Sequence, residues 1–293
     1  RAASMPKVHM NAIKGEKYKI GDLLYAMMLE SYNDVAVAVA EGVAGSVEEF
    51  AKLMNKKAGE IGAVNTNFVT PNGLDAKGHF STAYDMALIG AYAIKNQQFL
   101  KITNTKSYSF YDCSNKRHIV VNNKDAFLNM SSDAIGIKTG FTGDAGYCFV
   151  GAVKSNNRVY VSCVLASGWP PNKTYKWRDT TKLMDYGKNN FDTKKILKNR
   201  ISFPVNIENG TKKQIIAVAI GPYKALVSKN DTVEAKTEFN YELPIKSGEK
   251  IGEVKLYINN QCVKKCKIEA VDSVEKYDFK YCFKKTLDYF IFQ

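Results

Sequence analysis

The repeat distance of the apolar residues changes near residue 100, and that change limits what the chain can fold into. Before it, apolar side chains recur at helical spacing. Leu23, Leu24, Met27 and Met28 belong to a short helix over 22–29, with Asp22 as its candidate cap. Ser31-Tyr32-Asn33-Asp34 interrupts the pattern, and a second helix carries Val35, Val37, Val39 and Ala40. Ser46-Val47-Glu48-Glu49 reads as a capping box that opens a third helix, with Phe50, Leu53, Met54 and Ala58 on one face. Pro71-Asn72-Gly73 is a turn, and 81–85 is another capped start ahead of Met86, Leu88, Ile89 and Tyr92. Beyond residue 100 the period falls to two, which is the spacing of a pleated strand. Strands are expected over 106–111, 117–121, 146–153 and 159–165, the last two joined by the turn Ser155-Asn156-Asn157. Near the start, Val8, Met10 and Ala12 also alternate with polar residues and read as a short strand. A helix over 177–186 closes the region. A helical cluster beside an antiparallel sheet is an α+β domain.

A Lys/Asn-rich stretch over 186–199 has the composition of a boundary. Ile201, Phe203, Val205 and Ile207 then alternate up to Asn209-Gly210, a strong hairpin signal, and 215–220 follows as the partner strand. Val254, Leu256 and Ile258 alternate ahead of Asn259-Asn260. The expected organisation is an α+β domain over 1–192, a small all-β, sandwich-like domain over 193–272 and a tail over 273–293. In the tail, Phe279, Phe283, Leu287, Phe290 and Ile291 share a helical face, with Lys280, Lys284, Lys285 and Asp288 off it. Such a helix either lies in a membrane interface or docks on the β domain.

Composition narrows the function. The chain has 293 residues, 45% of them apolar, enough for a sizeable core. No run approaches the roughly 18 apolar residues of a membrane span. A net charge of +13 favours anionic partners, but the lysines are dispersed and no nucleic-acid motif accompanies them, so nucleic acid is not an expected ligand. Six Cys without a CxxC, and only three His, exclude a Cys/His zinc pattern; the thiols read as structural, and no metal or organic cofactor is implied. His79 and His118 read as structural, His79 within a hydrogen-bonded turn. Arg178 is a candidate for carboxylate binding, with plain surface exposure as the alternative.

Two short motifs carry chemistry: Ser31-Tyr32-Asn33 just after a helix, and Lys138-Thr139-Gly140 ahead of the strand that begins near Gly146. Each is weak alone. Together, in this order, they are a pairing found in penicillin-binding proteins and class A β-lactamases. The surrounding text extends the likeness. Asp22-Leu23-Leu24-Tyr25, Gly45-Ser46 with Met54-Asn55, Asn65-Thr66-Asn67-Phe68, Asn72-Gly73-Leu74-Asp75, His79-Phe80-Ser81-Thr82-Ala83 and 136–142 followed by Ala145-Gly146 all resemble the serine D-alanyl-D-alanine carboxypeptidases. The resemblance covers roughly 1–190, and more loosely the β domain. It implies a penicillin-binding, β-lactamase-like transpeptidase domain. Tyr32 stands where that family often has Gly.

By this resemblance, Ser31 relays a proton toward the leaving amine, Asn33 holds the substrate amide and Lys138 supplies positive charge beside Ser31. Thr139 binds the terminal carboxylate, and Gly140 lets the strand backbone approach the substrate. The implied reaction removes the terminal D-alanine from peptidoglycan stem peptides through an acyl-enzyme that β-lactams intercept. The implied setting is extracytoplasmic: the cell wall or the outer face of the membrane, with peripheral contact through the tail. The family also needs a Ser-x-x-Lys nucleophile pair. Ser4-Met5-Pro6-Lys7 fits literally but is read as a coincidental match, because alternation and Gly15 follow it instead of a long apolar helix; the true pair is expected upstream of Arg1. Two other readings stay open. One is a class A β-lactamase, disfavoured by the extra β domain and tail. The other is a non-catalytic module that binds peptidoglycan or β-lactams.

Overall fold

The computed structural model describes residues 1–6 and 8–291, so Lys7 of the Ser4–Lys7 pair lies outside the described residues. The chain divides into two compact units, Arg1–Asn189 and Asn190–Gln293.

The first unit opens with a 3-10 turn at Ala2–Ser4 and continues into α1 (Ile20–Glu30), α2 (Asn33–Ala44), α3 (Val47–Glu60), α4 (Ala83–Ala93) and α5 (Gln97–Asn104). The hairpin β1 (Ser107–Tyr111) and β2 (His118–Asn122) follows, then the single turn α6 (Phe127–Met130). The antiparallel sheet β3 (Ala134–Thr142), β4 (Gly146–Ser155), β5 (Arg158–Val164) comes next, and α7 (Tyr175–Asn190) closes the unit. The capping signals locate α3 and α4: Ser46 Oγ accepts from Glu49 N at 3.1 Å, and Thr82 Oγ1 from Asp85 N at 3.1 Å. Asp22 does not cap α1. It sits in the first turn after the N-cap Lys19 and accepts the Tyr108 hydroxyl at 2.7 Å, which ties α1 to β1. Tyr25 stacks on Tyr108 at 3.9 Å beside that bond.

The expected strand at 8–12 does not form. Val8 and Asn11 have φ near 60°, outside the range a strand allows. The N–H groups of Met10 and Ala12 go instead to the carboxylate of Asp34, at 3.0 and 3.1 Å. Lys138-Thr139-Gly140 does not precede a strand but lies inside one: β3 pairs antiparallel with β4, placing Lys138 opposite Val150 and Gly140 opposite Cys148.

The second unit contains β6 (Phe191–Leu197), β7 (Arg200–Asn206), β8 (Gln214–Ile220), β9 (Tyr223–Ser228), β10 (Val233–Phe239), β11 (Lys250–Ile258), β12 (Gln261–Ala270) and α8 (Phe279–Ile291). Five strands form a sheet in the order β10-β11-β12-β8-β7, and β6 pairs with β9. Leu197, Val205, Ile215, Leu256 and Ile268 share one core. The division between the units falls within the stretch over 186–199, whose first half ends α7 and whose second half is β6. Alternation locates β7, β8 and β11. β6 has no apolar period, and β10 alternates Val233, Ala235 and Phe239 with charged residues but buries none of them. α8 buries none of its residues, so docking on the β domain is not what the structure adopts.

Candidate active site

α1 ends at Glu30, and the next residue turns the chain. Ser31 adopts φ 62° and ψ 38°, the left-handed region, while its N–H still bonds Met27 O at 3.1 Å. A residue with a Cβ pays about 1–2 kcal/mol there, a strain that persists only where the surroundings impose it. The single left-handed residue lets α2 start two positions later and leaves the Ser31 hydroxyl beside β3. Lys138 Nζ donates to that hydroxyl and to Thr139 O at 3.0 Å. The two motifs, 107 positions apart, thus meet side chain to side chain.

Asn33 opens α2 and is buried. Its backbone N–H bonds Val8 O at 2.8 Å, and its Nδ2 donates to Pro6 O at 3.3 Å. Asp34 beside it is 2% exposed and anchors residues 10–12 as described. Ser4 lies on the exposed 3-10 turn and donates to Arg1 O at 2.8 Å.

At Gly140 the backbone is ordinary strand, and an added Cβ would meet only Cys148 Cβ, at 3.9 Å. Nothing inside the protein demands glycine there. Thr142 at the end of β3 holds Asp75 Oδ1 at 2.8 Å and receives Ala145 N at 3.0 Å, while Trp169 Nε1 bonds Gly143 O at 2.8 Å. The β3–β4 turn is therefore fixed from both sides.

Two charged residues that periodicity did not mark complete the cluster. Asp125 is 3% exposed and Lys176 9%. Asp125 Oδ1 accepts Phe127 N at 3.0 Å, while Oδ2 is buried with no hydrogen-bond partner. Burial raises the Asp125 carboxyl to about 6, against the pull of its Phe127 bond and of Lys138 and Lys176. Burial also draws Lys138 down to about 8; Asp125 opposes that shift and Lys176 adds to it. The Lys176 ammonium, likewise lowered chiefly by burial, lies 4.8 Å from the centroids of the Tyr147 and Trp177 rings, whose faces substitute for water. The sequence offered one clue to Lys176, its position between Tyr175 and Trp177. Asp125 sat in a polar run, Asn122-Asn123-Lys124-Asp125, that reads as a loop.

The remaining candidates fall outside this cluster. Arg178 is exposed, bonded to Asp179 at 2.9 Å and stacked on Tyr175. His79 Nδ1 accepts Val69 N at 3.0 Å, the structural turn expected of it. All six thiols are free, and no group of three potential ligands that could hold a metal occurs among the described residues. A separate groove of 530 Å³ between α4 and β5, lined by Tyr84, Leu88 and Val161 among others, shares no residue with the cluster.

Known proteins match the chain over both units. The sequence signature of the family D-alanyl-D-alanine carboxypeptidase covers residues 3–168, and that of the penicillin-binding protein 5 C-terminal domain covers 191–276. The D-alanyl-D-alanine carboxypeptidase DacF of Bacillus subtilis is 30% identical over 98% of this chain and 74% of its own length. The D-alanyl-D-alanine carboxypeptidase DacA of Haemophilus influenzae is 33% identical over 87% of this chain and 65% of its own. The crystal structure of the D-alanyl-D-alanine carboxypeptidase DacD from Francisella tularensis superposes with a TM-score of 0.73. It covers 94% of this chain and 80% of its own at 23% identity, which establishes a shared fold.

Proposed function

The chain belongs to the D-alanyl-D-alanine carboxypeptidase family, and from that membership we propose that it serves a serine-type hydrolase that removes the terminal D-alanine from peptidoglycan stem peptides. The observation that carries this reading is the hydrogen bond from Lys138 to the left-handed Ser31. In the reaction, an activated serine attacks the carbonyl between the two D-alanines, the C–N bond breaks, and water later opens the ester. Expelling the amine requires a proton. A hydroxyl held by an ammonium is suited to pass one on, because the cation stabilises the alkoxide character that develops on Ser31 during transfer.

The same ammonium attracts the substrate carboxylate. At pH 7 Lys138, with a pKa near 8, is mostly charged. We assign Thr139 on β3 to that carboxylate, and Gly140 to the point where the substrate backbone runs alongside the strand. We assign Asn33 to the substrate amide; its side chain is held in place by Pro6 O. Ser4, bonded to Arg1 O on an exposed turn, is not assigned as the nucleophile. β-Lactams mimic the D-alanyl-D-alanine end, so the enzyme is penicillin-sensitive in this reading. Substrate and setting place it outside the cytoplasm, at the wall or the outer membrane face, with α8 in peripheral contact.

Labelled penicillin with peptide mapping tests the assignment. The native protein is expected to carry the label on a serine other than Ser4 and Ser31, and Lys138→Ala to slow labelling at least ~100-fold, the size of losing one transition-state electrostatic contact. Label on Ser4 would make Ser4–Lys7 the nucleophile pair. No label, with reversible β-lactam binding retained, would leave a non-catalytic wall-binding module.

A further inference from the structure

We infer that Asp125 is a positioning residue of this site, holding Lys138 in its cationic form against Ser31 while Lys176 opposes it; this rests on the reading of Ser31 and Lys138 given above. The segment bearing Asp125 is tied to the end of α1 that bears Ser31. Asn122 N bonds Glu30 Oε1 at 2.9 Å, Lys124 N bonds Leu29 O at 3.1 Å, and Lys124 Nζ pairs with Glu30 at 2.9 Å. Residue 125 follows directly. Asn123 fixes it further: Oδ1 accepts Asp125 N at 2.9 Å, and Nδ2 donates to Thr103 O and Thr105 O, both at 2.9 Å.

A chain of aromatic rings brings in the second cation. Phe127 meets Phe149 edge-on at 5.7 Å, and Phe149 meets Trp177 edge-on at 4.8 Å. Asp125 lies two residues before Phe127, and Lys176 one residue before Trp177. Asp125 and Lys176 are buried and Lys138 is half-buried beside Ser31, and Asp125 Oδ2 has no hydrogen-bond partner.

A buried carboxylate oxygen without a hydrogen bond is costly and calls for an explanation. Its local duty, accepting Phe127 N, uses the other oxygen and could be met by an amide. What an amide could not supply is the negative field at Lys138. The titratable groups acting on Lys138 are Asp125 and Lys176; those acting on Asp125 are Lys138 and Lys176; Cys148 is the remaining group beside Lys176. Without Asp125, burial and Lys176 both drive Lys138 toward the neutral amine. That form attracts no carboxylate and stabilises no charge on Ser31.

The pH titration of Lys138 is the direct test, read from its 13Cε resonance in lysine-labelled native protein and assigned with Lys138→Arg. In Asp125→Asn, which keeps an acceptor for Phe127 N, the midpoint is expected to fall below its position near 8 by roughly 1 pH unit, as one lost opposite charge would produce. The wild-type resonance is also expected to show a second inflection near pH 6, where Asp125 itself titrates. This second reading needs no variant to fold. An unmoved midpoint in folded Asp125→Asn, or a wild-type curve with no inflection near pH 6, overturns the proposal. Binding of a D-alanyl-D-alanine peptide to Lys138→Ala is measured separately. Undiminished binding there would sink the parent reading of the site while leaving the Asp125–Lys138 coupling intact.

Discussion

Ser31 holds a left-handed backbone where glycine would be unstrained, and Asp125 holds a carboxylate where an amide would cost less to bury. Both residues cost stability at the place where the two motifs meet, the usual mark of a functional position. For Asp125 the cost has a pH signature. Its carboxyl titrates near 6 in the folded chain, against an ordinary value of 3.8. The folded state therefore binds the proton more tightly. The associated stability is fully present below 3.8 and is lost as pH rises through 6. Asp125→Asn is accordingly expected to raise the unfolding free energy from urea titration at pH 8, by at most about 3 kcal/mol, and to change it little at pH 3.5. A variant equally destabilised at both pH values would mean that the carboxylate contributes through packing and not through charge.

At the scale of elements, β3 carries the chemistry in the proposed reading, and its neighbours set its position. Lys138, Thr139 and Gly140 are consecutive on one strand, whose pairing with β4 is regular from Ile137 to Thr142. α5 and α6 pack against this strand, and Ile137 and Val150 lie in a core with Met86, Ile94 and Phe99. Two glycines of this region differ in purpose, and substitution separates them. An added Cβ at Gly90 on α4 would meet Val150 Cγ1 at 2.8 Å and Ile137 Cδ1 at 3.2 Å, whereas at Gly140 the nearest atom is 3.9 Å away. Gly90→Ala is expected to destabilise the fold by about 1–3 kcal/mol through overpacking, with labelling by penicillin lost only as the protein unfolds. Gly140→Val is expected to melt near the wild-type temperature yet label far more slowly, because in the proposed reading its side chain projects where the substrate would lie. If Gly140→Val melts early and labels normally when folded, the glycine serves the sheet and not the ligand.

At the scale of the whole molecule, the +13 charge and the exposed tail point the same way. α8 leaves Phe279 83% and Phe290 75% exposed, with Lys280, Lys284 and Lys285 on the same helix. No helix among the described residues is long and apolar enough to cross a membrane. Removal of 279–293 is expected to abolish co-sedimentation with phosphatidylglycerol vesicles, and 0.5 M salt to weaken it, since surface charge is screened within about 10 Å even at 0.1 M. Equal sedimentation of the truncated chain would place the basic surface elsewhere. Much of this protein was determined by its sequence alone. The change of apolar period near residue 100 is a local property, so α1 to α4, α7, several strands and the two motifs could be read directly, whereas α5, α6 and β3 could not. The edge strand β10 is exposed along its whole length, so burial does not specify it, and its pairing with β11 holds it in the sheet. The meeting of Ser31 with Lys138, the desertion of residues 8–12 from a ladder to Asp34, and the burial of Asp125 were decided by tertiary structure. Each depends on contacts between residues far apart in the chain, and the cost of burying a charge is set only when the surrounding elements exclude water.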